Sequence, residues 1–194
     1  MTITGYTRMD TLTKEQWDFT NQCFDELVNS LTDRIINTLL DLRGHKMGSQ
    51  VDRLEHCLQT ATRAFRDGAD EEMVVCALLH DIGDDLAPYN HGQVAAAILR
   101  PYVSPENAWM IEHHEVFQGY YFQHFIGGDR DERNKFKGHP AFEQTIIFCD
   151  RWDQLSFDPN YDTMSLSDFR PMLESVLSHK PMIYQQKDPN QVIF

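Results

Sequence analysis

From Met73 to Leu79 the chain runs through seven consecutive apolar residues, preceded by Asp70-Glu71-Glu72 and followed, after Leu79, by His80-Asp81. A segment of this kind restricts the fold more than any other feature. Acidic side chains favour the positive end of a helix, and a helix that is apolar all round has to be covered on most sides by other elements. The pattern predicts a helix from Met73 to about Ile82, buried on most sides, that finishes in an imidazole beside a carboxylate.

The remaining segments repeat the helical period. Thr13-Lys14-Glu15-Gln16 is a capping-box pattern opening a helix to about Asn29, with Trp17, Cys23, Phe24, Leu27 and Val28 as its apolar positions. Ile35, Leu39 and Leu42 recur at helical spacing after Thr32 until Arg43-Gly44 supplies a stop. Val51, Leu54, Leu58, Ala61 and Phe65 mark a third helix, which carries Glu55 and His56 and ends at Asp67-Gly68. His91 to Arg100 reads as a short helix, and Ser104-Pro105-Glu106 as the start of one that contains His113-His114. After Gly127-Gly128 the charged run from Asp129 to Lys137 reads as an exposed connection. His139-Pro140 then starts a helix holding Asp150 and Asp153, and a last helix covers roughly Ser167 to Ser178. No segment has a strand pattern and none repeats. The predicted class is all-α, a compact bundle of seven or eight helices. The tail from Lys180 reads as extended over the body or as a partner contact.

At 194 residues and 41% apolar content the chain has the material for one domain with a sizeable core. A formal charge of −13 argues against a nucleic-acid surface and against anionic membranes. Seven apolar residues are far short of the roughly 20 that a spanning helix needs, and Met1 to Asp10 has no secretory pattern. A cytoplasmic location is expected, with a small molecule as partner and a homodimer allowed. Cys23, Cys57, Cys76 and Cys149 lack any C-x-x-C spacing and read as buried free thiols.

The chemistry centres on His80-Asp81. An imidazole and a carboxylate at adjacent positions suit one metal ion, and a carboxylate with two free oxygens suits a bridge to a second. His56, His91, His114 and Asp153 add the same donor types from other helices. Nitrogen and oxygen donors suit iron, manganese or zinc, and the lack of paired cysteines disfavours a zinc finger or an iron–sulfur cluster. Singly, each of these residues also reads as an ordinary core or surface side chain; their joint order carries the metal reading.

That order, in Leu54-Glu55-His56, Ala77-Leu78-Leu79-His80-Asp81-Ile82-Gly83, Ile111-Glu112-His113-His114 and Arg151-Trp152-Asp153, resembles the HD-domain superfamily of metal-dependent phosphohydrolases and diiron oxygenases. The resemblance spans about Val51 to Gln154 within a single domain of residues 1–194, flanked by N-terminal helices over 1–45 and a tail over 180–194. It is strongest to the branch of mixed-valent diiron oxygenases that cleave phosphonates, with myo-inositol oxygenase more distant. It implies a compact HD-domain helical bundle in which His56, His80, Asp81 and Asp153 hold one metal and Asp81, His91 and His114 the other, Asp81 bridging. The Ile-x-x-His spacing favours His114 over His113, and the preceding aromatic Trp152 favours Asp153 over Asp150; His113 and Asp150 stay open as alternatives. The cofactor implied is an Fe(II)/Fe(III) pair with O2 as co-substrate, cleaving a C–P or C–C bond next to a hydroxyl-bearing carbon. A phosphohydrolase acting on a phosphate ester or nucleotide is the alternative, and a metal-dependent sensor a third.

Substrate positions depart from the resemblance. Where those oxygenases hold the phosphonate, this chain has Asp84, Gln118 and Asp150, so Lys46, Arg100 or Arg151 would have to replace the anion clamp. Lys46 and Ser49 stand where a tyrosine and a glutamate gate the relatives' site. Asp84, Asp85 and Asp150 form either a solvated face or a rim that selects positive charge. The aromatic run from Val116 to Phe125, with Gln118, Tyr120 and Tyr121, either lines a pocket that holds an alkylammonium together with Asp84 or packs helices. The expected substrate is thus a 1-hydroxyphosphonate or an amino or quaternary-ammonium alcohol, met by Lys46, Asp84, Gln118, Tyr120, Tyr121 and Asp150. Asp52, Glu55 and Asp84 are the expected acceptors for the ligand imidazole N–H groups. His45, His124, His139 and His179 read as surface residues.

Overall fold

The computed structural model describes residues 5–178. Among the described residues it contains eight α-helices and no strand: α1 (Lys14–Asn29), α2 (Leu31–Asp41), α3 (Arg53–Arg66), α4 (Glu71–Leu79), α5 (His91–Leu99), α6 (Pro105–Phe122), α7 (Phe142–Ile147) and α8 (Leu166–Leu177). Short 3-10 turns join some of them, and a π-helical turn, Phe148–Asp153, follows α7 directly. No helix among the described residues is long and apolar enough to cross a membrane. The tail from Lys180 lies outside the described residues, as does His179.

The apolar segment forms the central helix. Every residue of α4 from Val74 to Leu79 is buried, and α3, α6 and α8 pack around it. Each leucine-sized side chain so buried is worth about 1.5–3 kcal/mol. Asp70 caps the start by accepting the Met73 N–H at 2.8 Å. The helix stops at Leu79, short of the expected Ile82. Ile82 N–H reaches back only to Leu79 and Asp84 N–H only to Asp81, so the chain tightens into turns there. His80 and Asp81 thus leave the helix yet stay 0% and 2% exposed.

α3 lays Leu54, Cys57, Leu58, Ala61 and Ala64 on the core side. Its cap, Asp52, accepts the Glu55 and Gly44 N–H groups, both at 2.9 Å. α5 and α6 cross closely because small residues let them. A β-carbon on Gly92 would lie 2.9 Å from the Ile111 carbonyl oxygen and 3.1 Å from the His114 ring, and one on Gly83 would lie 2.8 Å from the His91 carbonyl oxygen.

Three expectations need correction. Cys57, Cys76 and Cys149 are buried, but Cys23 is exposed, and no residue of α1 is buried. The capping box of Thr13 and Gln16 forms as read, but helical periodicity marks which face is apolar without ensuring that anything covers it. The run from Asp129 to Lys137 contains a 3-10 turn, Glu132–Phe136, and Phe136 stacks with Phe117, so the connection is anchored on the core. His139 is half-buried and lies flat on Trp109, ring centroids 3.8 Å apart, while the helix expected from it starts at Phe142.

Candidate metal centre

Three helices and two turned segments aim six side chains at one point beneath α4. His56 comes from the second turn of α3, His80 and Asp81 from the turns after α4, His91 from the start of α5, His114 from mid-α6 and Asp153 from the end of the π-helical turn. Five of the six are no more than 3% exposed.

Asp81 lies at the centre. Its Oδ2 is 3.2 Å from His56 Nε2 and 3.1 Å from His80 Nε2, while its Oδ1 is 3.0 Å from His91 Nε2 and 3.3 Å from His114 Nε2. Each carboxylate oxygen therefore faces its own pair of imidazoles. Asp153 joins the first pair, with Oδ1 3.2 Å from His56 Nε2; its Oδ2 is buried without a hydrogen-bond partner.

The rings are oriented from behind. His56 Nδ1 donates to the Ser156 carbonyl at 2.9 Å, His80 Nδ1 to that of Ala77 at 2.8 Å and His114 Nδ1 to that of Ile111 at 2.7 Å. A proton on Nδ1 leaves Nε2 as the lone-pair nitrogen. Yet His56 and His80 meet Nε2 to Nε2 at 3.1 Å, and His91 and His114 at 3.3 Å. Two lone pairs at such distances repel unless positive charge lies between them. In the chain alone a proton answers that demand: burial works to lower His80, but Asp81 and Asp153 outweigh it and push its pKa up to about 10. Asp81 is correspondingly held well below the usual carboxylate range, where the charges of His80 and Arg53 overcome the opposing effect of burial. Facing imidazoles, a carboxylate with one oxygen for each pair, and an orphaned Asp153 oxygen fit a pair of divalent or trivalent cations.

Three of these orienting acceptors are backbone carbonyls, which corrects the expectation that Asp52, Glu55 and Asp84 take the ring N–H groups. Asp52 is spent on capping α3, and Glu55 accepts from Gln59 and Thr163. Asp84 comes nearest to that role, with Oδ1 3.2 Å from His91 Nδ1 beside Glu115 at the same distance, but that nitrogen makes no hydrogen bond. Carbonyls at i−3 of a turn, or 100 residues away at Ser156, carry no side-chain signal in a sequence.

The adjacent alternatives point elsewhere. His113 stacks on Trp109 at 4.2 Å and donates to its carbonyl. Asp150 is exposed and accepts the Tyr121 hydroxyl at 2.9 Å; burial, and then that bond, raises the tyrosine above its ordinary range. The wide π-helical turn, closed by Gln154 N–H on the Cys149 carbonyl, turns Asp153 inward and Asp150 outward.

A cavity of about 750 Å³ opens over the cluster, within the size range of small-molecule sites. Lys46, Asp84, Gln118 and Tyr121 line it; Tyr120 and Asp150 do not. At about 100° per residue, Tyr120 sits roughly 240° around α6 from His114 while Gln118 and Tyr121 stay within about 40° of it. Tyr120 instead carries Arg130 and Arg133 against its ring, at 4.1 and 3.8 Å. Arg100 pairs with Glu112 and Arg151 with Asp67, so neither lines the cavity. Lys46, Met47 and Ser49, in the loop between α2 and α3, border it where a gate was in question, and His45 ties that loop to Asp85 at 2.7 Å. The sequence reading missed Arg53 and Glu115, while Phe157, which it placed at the pocket edge, lines the cavity. Arg53 is three residues ahead of His56 and Glu115 one after His114, positions that helical spacing places on or beside the ligand face. Phe157, stacked on His56 at 4.4 Å, lies in a loop where no periodicity applies.

An all-α bundle that converges four histidines and two aspartates in this order is an HD domain, and the chain belongs to the HD domain family, whose model matches residues 53–155. Among curated proteins it is similar to the [1-hydroxy-2-(trimethylamino)ethyl]phosphonate dioxygenase (glycine-betaine-forming) of Leisingera caerulea, at 27% identity over 174 residues, covering 73% of this chain and 88% of that protein.

Proposed function

We propose that the chain is a diiron oxygenase that uses O2 to cleave the C–P bond of a small 1-hydroxyphosphonate. The observation that carries this is Asp81 with one oxygen turned to each facing imidazole pair, the arrangement a bridged two-metal centre requires; the similarity to a phosphonate dioxygenase supports the oxidative reading over a hydrolytic one. His56, His80, Asp153 and Asp81 Oδ2 would hold one iron, and His91, His114 and Asp81 Oδ1 the other. When bound, the Fe(II)/Fe(III) pair supplies the redox chemistry that couples O2 to oxidation of the hydroxyl-bearing carbon. One O2 per substrate balances the reaction, leaving a carboxylate and inorganic phosphate.

The chain's own residues position the substrate and control solvent. Phe157 covers the outer face of His56 and Phe148 meets His80 edge-on at 5.5 Å, which keeps water from that side of the centre. Asp84 is only 6% exposed and already answers Arg53, so a cationic end of the substrate would meet Glu115 and the rings of Tyr121 and Phe122 instead. C–C cleavage of an amino or quaternary-ammonium alcohol would use the same ligands.

The test is metal content and low-temperature EPR after mild ascorbate reduction, followed by oxygen uptake with 1-hydroxyphosphonates. The reading expects two irons, a coupled half-integer-spin signal and uptake matched by phosphate release. The cations lining the cavity, Arg53 and Lys46, also suit a phosphate ester; anaerobic turnover of such an ester with Mn(II), and no oxygen uptake, would establish a phosphohydrolase in its place.

A further inference from the structure

Apart from the metal-binding set, one half-buried cation lines the cavity. Arg53 is the first residue of α3, one turn ahead of His56, and its side chain is 13% exposed. Its Nη2 donates to Asp81 Oδ2 and its Nε to Asp84 Oδ2, while Nη1 has no hydrogen-bond partner among the described residues. Lys46, the other basic residue at the cavity, is exposed on the loop.

A guanidinium offers five N–H groups in a planar fork that matches the oxygens of a carboxylate, phosphate or phosphonate. Here two of its nitrogens are engaged and the third is left toward the cavity. The two bonds differ in kind. Asp84 binds Nε, anchors the base of the fork and stands behind the clustered Nε2 atoms, 3.2 Å from His91 Nδ1. Asp81 binds Nη2 with an oxygen that also faces His56 and His80. A cation placed between those imidazoles competes with Arg53 for the same oxygen, which weakens the hold on Nη2 and leaves Nη1 and Nη2 together as a two-pronged donor beside the centre.

We infer that Arg53 is the oxyanion clamp of the substrate: Nη1 and Nη2 bind two oxygens of its tetrahedral anionic group while Asp84 holds the guanidinium from behind. Because Arg53 touches the bridging aspartate itself, the anion it holds is attached to the reacting carbon and not to the far end of the molecule. On the proposed oxygenase reading, that carbon is the hydroxyl-bearing one. The clamp rests on the proposed oxygenase reading for the identity of that anion as a phosphonate.

The test is binding of methylphosphonate to metal-loaded protein by titration calorimetry, in the wild type, Arg53→Lys and Arg53→Gln, with metal content and thermal melts measured on each. Saturable wild-type binding is expected, weakened at least about tenfold in Arg53→Lys, which keeps the charge but loses the fork, and lost in Arg53→Gln. In oxygen-uptake assays the same loss should fall on KM more than on kcat. Binding in Arg53→Gln equal to the wild type would overturn the clamp. So would loss of metal from both variants, since Arg53 would then serve the centre and not the substrate. Binding does not require turnover, so wild-type protein that binds methylphosphonate through Arg53 but takes up no oxygen would retain the clamp while rejecting the oxygenase.

Discussion

Asp81 carries more of the proposed chemistry than any other side chain, because both its oxygens are in use. Asp81→Asn is expected to lose both metals and all turnover, whereas Asp153→Asn, which touches only the His56 and His80 pair, is expected to release one; metal analysis of the two variants distinguishes them. Asp84→Asn, which removes the negative charge 3.2 Å from His91 Nδ1, should cost about 10–100-fold in metal affinity or activity. Protonation supplies a further check. His80 in the metal-free fold is raised from 6.5 to about 10, so its proton stabilises that fold fully below about pH 6.5, and the contribution is lost as the pH rises toward 10. The Tm of metal-free protein is expected to fall across that interval, and metal-loaded protein, with no proton there to lose, to hold its Tm. A metal-free Tm that is flat or rising would contradict the assignment. At this scale the ligand types were readable from the sequence, but Arg53 and the carbonyl of Ser156 acquire meaning only from what stands opposite them.

Among the elements, the closest tolerances lie where α5 meets α6. Gly92→Ala would press a methyl group against the Ile111 backbone and the His114 ring. Overpacking of this kind costs about 1–3 kcal/mol, and here the strain falls on a proposed ligand, His114, and on the carbonyl that orients it, so the variant is expected to melt lower and to bind less metal. A variant with an unchanged melt and full metal content would show that the helices shift freely. The π-helical turn, Phe148–Asp153, belongs to the same scale. Sequence periodicity predicted a helix through Asp150 and Asp153 but left their facing undecided, since that depends on the extra residue in the turn. Caps such as Thr13 and Ser104 form from local sequence alone and were readable for that reason, whereas the cap at Asp52 was read as an acceptor for an imidazole N–H.

For the whole molecule, stability is concentrated around α4 and the centre beneath it. Leu78→Ala, in a fully buried position, is expected to cost about 2–5 kcal/mol, and Phe24→Ala on exposed α1 no more than about 0.5 kcal/mol; denaturant melts compare them directly. A metal held at the proposed centre would bind the folded chain in preference to the unfolded one, so stripping it with chelator should lower Tm by an amount that metal re-addition restores. Full recovery of Tm without metal would mean that the centre contributes nothing to the fold.

The sequence by itself determined what local physics controls: the apolar run of α4, the helical periods, the caps, and the order of histidines and aspartates that marks an HD domain. Each depends on residues within a few positions of one another, or on their order along the chain. Only the tertiary structure decided which neighbours face inward, that α1 stays uncovered, that backbone carbonyls orient three of the imidazoles, and that Arg53 stands over the cavity with a free edge. Those outcomes depend on contacts between segments up to 100 residues apart, as between His56 and Ser156, and no spacing rule along the chain encodes them.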